Sequence, residues 1–85
     1  MQIKYTPRFK KSYDNLPGHI KKKAERKVEI FKEDPFDKRL ETHKLSGNLD
    51  GVRSFSIDNK YRIAFKFNDD GDAIFLRAGD HDIYR

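Results

Sequence analysis

The 85-residue sequence predicts an α+β fold: an N-terminal edge strand, a helical hairpin, then an antiparallel sheet of roughly three to four strands with the helices packed on one face. Three features carry that prediction. Thr6-Pro7 places a capping hydroxyl before a proline at the first helical position. Ile20, Ala24, Val28 and Phe31 recur at helical steps, making one apolar stripe. From Val52 onward the apolar residues alternate with polar ones, the period of a strand.

Each element follows in order. Gln2 to Thr6 alternates, with Ile3 and Tyr5 on one side, and reads as a short edge strand. The first helix starts at Pro7 and carries Phe9, Tyr13 and Leu16; Pro17-Gly18 ends it near Leu16. The second runs from His19 to Asp34, with Lys21, Lys22, Lys23, Arg26 and Lys27 opposite its apolar stripe, and Pro35 stops it. The short link makes the two a hairpin. Strands are expected at Val52–Asp58, Lys60–Phe67 and Asp72–Gly79, with a brief one at His81–Tyr84. Asp58-Asn59 and Asn68–Gly71 are the hairpin turns, so neighbouring strands run antiparallel. Phe36 to Gly51 reads as irregular, tethered by Leu40, Leu45 and Leu49. No repeat, low-complexity tract or boundary interrupts residues 1–85, which read as one domain.

Composition narrows the function classes. Charged residues (39%) outnumber hydrophobic ones (35%), but seven Phe and four Tyr supply the large pieces a small core needs. The net charge of +5 suits a polyanionic partner, and equally a solvated surface. The absence of cysteine excludes a disulfide scaffold and a thiol nucleophile, and fits a reducing cytoplasm. Met1 to Tyr5 has no apolar signal region, and no apolar run approaches the ~20 residues of a membrane span; the expected location is cytoplasmic. There is no Gly-rich phosphate loop, and the three His lack metal-ligand spacing, so neither cofactor nor metal is expected. Asp69-Asp70-Gly71-Asp72 has a faint likeness to a calcium loop without its ligand spacing, and reads as a turn.

Strand parity points to where chemistry could sit. Tyr61, Ile63, Phe65 and Phe67 share one face, which the helices should cover; Arg62, Ala64 and Lys66 share the other. That open face would also carry Arg77 from the next strand, followed by His81 and Tyr84. Arginine suits phosphate charge that grows in a transition state, while histidine and tyrosine suit proton transfer. A metal-free set of this kind matches RNA self-cleavage, in which the 2′-hydroxyl is the nucleophile. Tyr84 as a sheet-edge aromatic and His81 as a turn residue fit the same positions.

The order of strand, helical hairpin, Leu45-Ser46-Gly47, Tyr61-Arg62-Ile63-Ala64-Phe65 and Arg77-Ala78-Gly79-Asp80-His81-Asp82-Ile83-Tyr84 resembles the RelE/ParE toxin superfamily. Ile3 to Phe9 followed by Leu16-Pro17 is similar to that family's start, and the resemblance covers essentially the whole chain. It implies the toxin of a toxin–antitoxin system. Members of the RelE branch are metal-independent, ribosome-dependent endoribonucleases that cut mRNA and inhibit translation. The implied partners are a cognate antitoxin, the ribosome and mRNA. By position, Arg62 matches the strand arginine that meets the scissile phosphate, His81 a basic or proton-transferring residue, and Tyr84 the C-terminal tyrosine. Arg53, Lys44, Lys66 and Arg77, basic residues on or near these strands, are the expected RNA contacts.

One strand departs from the family pattern. Where active members place basic residues, Ser54 and Ser56 take the open face, and Arg53 is out of phase with it unless a bulge near Gly51 turns it. His43 and Lys44 in the preceding loop are the compensating candidates, His43 also fitting a structural loop role. Two other readings stay open: a ParE-like inhibitor of DNA gyrase, and a non-catalytic RNA- or protein-binding module of the same fold.

Overall fold

The computed structural model describes residues 1–45 and 51–80. Strand β1 (Ile3–Tyr5) leads into α1 (Pro7–Asp14) and α2 (Gly18–Glu33). One 3₁₀ turn at Lys38–Leu40 precedes β2 (His43–Lys44), β3 (Arg53–Ser56), β4 (Tyr61–Phe67) and β5 (Ala73–Asp80). The sheet has five strands in the order β1-β5-β4-β3-β2, with β1 parallel to β5 and the other pairs antiparallel. It is therefore wider than the three to four antiparallel strands expected, and mixed. The extra edge strand, β2, has two residues, too few to show any period in the sequence. The expected strand at His81–Tyr84, and the tether Leu49, lie outside the described residues.

Both helices start as their sequences dictate. The Thr6 hydroxyl accepts from Phe9 N at 2.9 Å, and Pro7 opens α1. The helix ends at Asp14, earlier than expected, yet Leu16 is still buried beyond it. The Pro17 carbonyl accepts from Ile20 N and Lys21 N and starts α2. That helix lays Ile20, Ala24 and Phe31 against the sheet. Phe31 is fully buried, with its ring centroid 4.9 Å from those of Phe55 and Phe65 and 5.2 Å from that of Phe75. Four Phe in mutual contact make this the centre of the core, and emptying such a site costs about 3–5 kcal/mol.

The phase of β5 is set by a bulge. Ala64 pairs with Arg77 but Phe65 pairs with Phe75, which leaves Leu76 without a partner on β4. Strict alternation would put Phe75 and Arg77 on one face. The extra residue instead lets Phe75 and Ala78 both enter the core and sends Arg77 to the side of Arg62. Helix α1 holds the irregularity: the Thr6 hydroxyl donates to Leu76 O at 3.1 Å, and the Ser12 hydroxyl accepts from Ala78 N at 2.9 Å. Backbone groups freed by the bulge are thus paired.

Two turns complete the sheet. Asp58 accepts from Lys60 N and Tyr61 N at 2.8 and 2.9 Å, closing β3 onto β4. Between β4 and β5, the Asn68 side chain accepts from Asp70 N and Asp72 N, and Gly71 takes a φ of 81° that a side chain would disfavour. Asp72 also accepts from Gln2 N at 2.9 Å, which ties this turn to β1.

Candidate active site on the sheet face opposite the helices

Cross-strand pairing lines up the face. One row reads His43–Ser54–Ala64–Arg77, and beside it lies Ser56–Arg62–Gly79. Lys66 lies on the same face, exposed, and Arg77 is half-buried. Lys44 and Arg53, paired with each other, belong to the other face, where the Arg53 guanidinium sits 5.6 Å from the Phe36 ring centroid. No register shift turns Arg53 toward Arg62. Of the sequence candidates, the structure thus gathers Arg62, Arg77 and Lys66 on one face and leaves Arg53 and Lys44 off it. His81 and Tyr84 lie outside the described residues.

Arg62 is less open than parity alone implies: only 8% of it is exposed. Its Nε donates to the Ser54 hydroxyl at 2.9 Å, and its Nη2 donates to the Glu41 carbonyl at 2.9 Å and, at 3.4 Å, to the Ser54 carbonyl. Glu41 holds a left-handed φ of 50°, ending the 3₁₀ turn and aiming its carbonyl at this cation. The side chain therefore runs along the sheet toward β2 rather than out of it. Among the described residues no carboxylate pairs with Arg62; its acceptors are a hydroxyl, carbonyls and an imidazole. A buried cation with neutral partners keeps its charge for an anion. Those bonds use Nε and Nη2, and among the described residues none involves Nη1.

His43 is the residue that sequence reasoning undervalued. Its Nδ1 lies 3.2 Å from Arg62 Nη2 and 3.1 Å from the Glu41 carbonyl. The nitrogen accepts from the arginine in one tautomer and donates to the carbonyl in the other, so one proton decides which neighbour it serves. The signal was strand parity: His43 opposite Ser54 shares the Arg62 face, which requires knowing that β2 is a strand. Ser54, a departure from the family pattern in sequence, is the arginine's anchor. Ser56 is occupied elsewhere, donating to Asp58 O at 2.7 Å.

The family model for the ParE toxin of type II toxin–antitoxin systems (parDE) matches residues 3–83. The chain belongs to the ParE toxin family, within the RelE/ParE superfamily. This ParE-family toxin is similar in fold to the YoeB/ParE toxin from Agrobacterium tumefaciens (TM-score 0.78, 16% identity, covering 95% of this chain and 99% of that one). It is similar to YafQ from E. coli BL21(DE3) (TM-score 0.77, 19% identity, 94% and 92% covered). It is also similar to the toxin fold in the archaeal RelE–RelB complex from Pyrococcus horikoshii OT3 (TM-score 0.74, 16% identity, 96% of each chain). No curated protein matches the toxin in sequence. Among the described residues of the ParE-family toxin, no helix is long and apolar enough to cross a membrane.

Proposed function

We propose that this toxin cuts ribosome-bound mRNA without a metal ion, using Arg62 to neutralise the scissile phosphate. The observation that carries the reading is a buried arginine held by neutral acceptors, on the same face as Arg77 and the exposed Lys66. In the reaction, the RNA 2′-oxygen attacks phosphorus, the bond to the 5′-oxygen breaks, and a 2′,3′-cyclic phosphate remains. The Nη1 donors face the charge that grows on the non-bridging oxygens, an environment where one fixed donor contributes about 2.7–4 kcal/mol. His81 and Tyr84 are the proton carriers that the resemblance implies, and His43, in contact with Arg62, is a third. Cytoplasmic action, the ribosome as scaffold and a cognate antitoxin belong to the same reading. The E. coli DinJ–YafQ toxin–antitoxin complex and the archaeal RelE–RelB complex are precedents for such pairing in this fold.

The family model favours a second reading, inhibition of DNA gyrase, since the matched family is ParE. The experiment separates the two. Purified toxin is added to a cell-free translation reaction and, separately, to a gyrase supercoiling reaction. Cuts in mRNA that appear only with ribosomes, persist in chelator once ribosome integrity is controlled for, and end in cyclic or 3′-phosphate support cleavage. Intact mRNA with arrested supercoiling supports the gyrase reading.

A further inference from the structure

The two cations that fall off the Arg62 face meet an aromatic ring on the other side of the sheet. Lys44 on β2 and Arg53 on β3 stand directly opposite each other, and neither enters an ion pair among the described residues. Like charges so placed destabilise a sheet unless an anion joins them. Lys44 is exposed; Arg53 is half-buried, with its guanidinium 5.6 Å from the Phe36 ring centroid. Phe36 keeps 56% of its surface in solvent, more than any other Phe or Tyr among the described residues.

That ring is held in place. The Asp34 carboxylate accepts from Phe36 N at 2.9 Å, and the Thr42 hydroxyl donates to Pro35 O at 2.6 Å. Phe67 supports the ring from β4, with centroids 6.1 Å apart, and itself packs edge-on against buried Phe65. The carboxylates flanking Phe36 are both engaged, Asp34 with Phe36 N and Asp37 with the Arg39 guanidinium at 2.9 Å. A fixed ring with a guanidinium beside it and a second cation next to that offers stacking to a base and charge to its phosphate. Little ordering is left to do on binding.

Position connects the two sides of the sheet. Strand β2 ends the strand order, and its successive residues His43 and Lys44 point to opposite faces, His43 to that of Arg62 and Lys44 to that of Arg53. A single strand lying on the Arg62 face and crossing β2 therefore meets Lys44 and Arg53 next. A duplex keeps its base faces inside its own stack and cannot use the ring. We propose that Phe36, Arg53 and Lys44 form a second RNA subsite, in which an unpaired base stacks on Phe36 and its phosphate lies between Arg53 and Lys44. The subsite rests on the reading of an RNA substrate but not on Arg62 performing the cleavage.

The chain has no tryptophan, so Phe36→Trp puts a single indole fluorophore at the ring, at a position exposed enough for the fold to accept it. The full-length variant is titrated with 2′-O-methyl hexaadenylate, which cannot be cut through its blocked 2′-oxygen. Saturable quenching is expected. An abasic hexamer of equal charge should bind at least about fivefold more weakly, because it has nothing to stack. Adding Lys44→Gln and Arg53→Gln should weaken the hexaadenylate at least about tenfold and flatten its salt dependence. Lys44→Gln alone, at an exposed position, should show part of that loss even if the double change unfolds the chain. Absence of quenching, equal affinity of the abasic hexamer, or full affinity in folded Lys44→Gln and double variants overturns the proposal. Equal quenching by hexaglutamate would assign the site to acidic peptides and also overturns it. Cleavage in the translation reaction without quenching here sinks the subsite alone; quenching without cleavage upholds the subsite and sinks the cleavage reading.

Discussion

Arg62 on β4 donates through Nε to the Ser54 hydroxyl on β3, 2.9 Å away and buried. Ser54 leaves the guanidinium held by neutral acceptors rather than by a carboxylate. Ser54→Ala should strand a buried donor, lowering stability by about 1–3 kcal/mol. It should also loosen the arginine and slow cleavage at least about tenfold. Urea unfolding and single-turnover cleavage of Ser54→Ala check the two effects; Ser54→Thr, which keeps the hydroxyl, should recover both.

His43 should matter through its contact with Arg62. His43→Ala removes the Nδ1 that lies 3.2 Å from Nη2, and cleavage should fall by about 10–10². His43→Gln, which offers an acceptor at similar reach, should recover part of the loss if the ring only positions the arginine. No recovery would assign the ring to proton transfer. The measurement is the single-turnover rate of the two variants side by side.

The bulge in β5 gives a prediction about stability and phase together. Ser12→Ala leaves Ala78 N without its acceptor and should cost about 1–3 kcal/mol. Thr6→Ala removes both the helix cap and the donor to Leu76 O, and should cost at least about 1 kcal/mol. Urea titration gives both values. Amide exchange should rise first at residues 76–78 in each variant, where the freed backbone lies.

Acid should unfold the chain through two turn carboxylates. Hydrogen bonds from the Arg39 side chain and backbone hold Asp37 down at about 2. Burial raises Asp58, but backbone N–H bonds from Lys60 and Tyr61 and the Lys23 ammonium outweigh it and leave the group below its ordinary value. Both carboxyls are lowered in the folded state, so their stabilisation is complete above the unfolded value of about 4 and is lost as pH falls through the folded values. The melting temperature should be flat from neutral pH to about 4 and then drop toward about 2. The Asp37→Asn, Asp58→Asn double variant should start lower and show a shallower acid drop; an unchanged slope would exclude these groups.

Long periodic segments were legible in the sequence, and short or irregular ones were not. The stripe on α2 and the alternation of β4 follow from burial on one side of each element, so both elements and their core faces could be read directly. Strand β2 pairs with β3 at the sheet edge, and its two residues leave no pattern. Missing it left His43 and Lys44 together as loop candidates, without the parity that puts His43 on the Arg62 face and Lys44 on the other. The phase of Arg77 was read correctly as outward, but its cause, a bulge held by Thr6 and Ser12, depends on contacts between segments far apart in sequence. Parity placed Arg62 on the right face and overstated its exposure, because the Glu41 carbonyl that draws it inward belongs to a segment read as irregular.

The central claim is that Arg62 neutralises charge on an RNA phosphate, and its direct measurement is single-turnover cleavage of ribosome-bound mRNA by the parental chain, Arg62→Lys and Arg62→Ala. Arg62→Ala should lose at least about 10²–10³ in rate. Arg62→Lys should stay well below the parental rate, because an ammonium cannot both bond Ser54 and face a phosphate as a fork does. Circular dichroism must show each variant folded at the assay temperature, since loss of the Ser54 and Glu41 bonds should also lower stability. A folded Arg62→Ala that cuts at the parental rate would contradict the account and leave the arginine as a link between β2, β3 and β4.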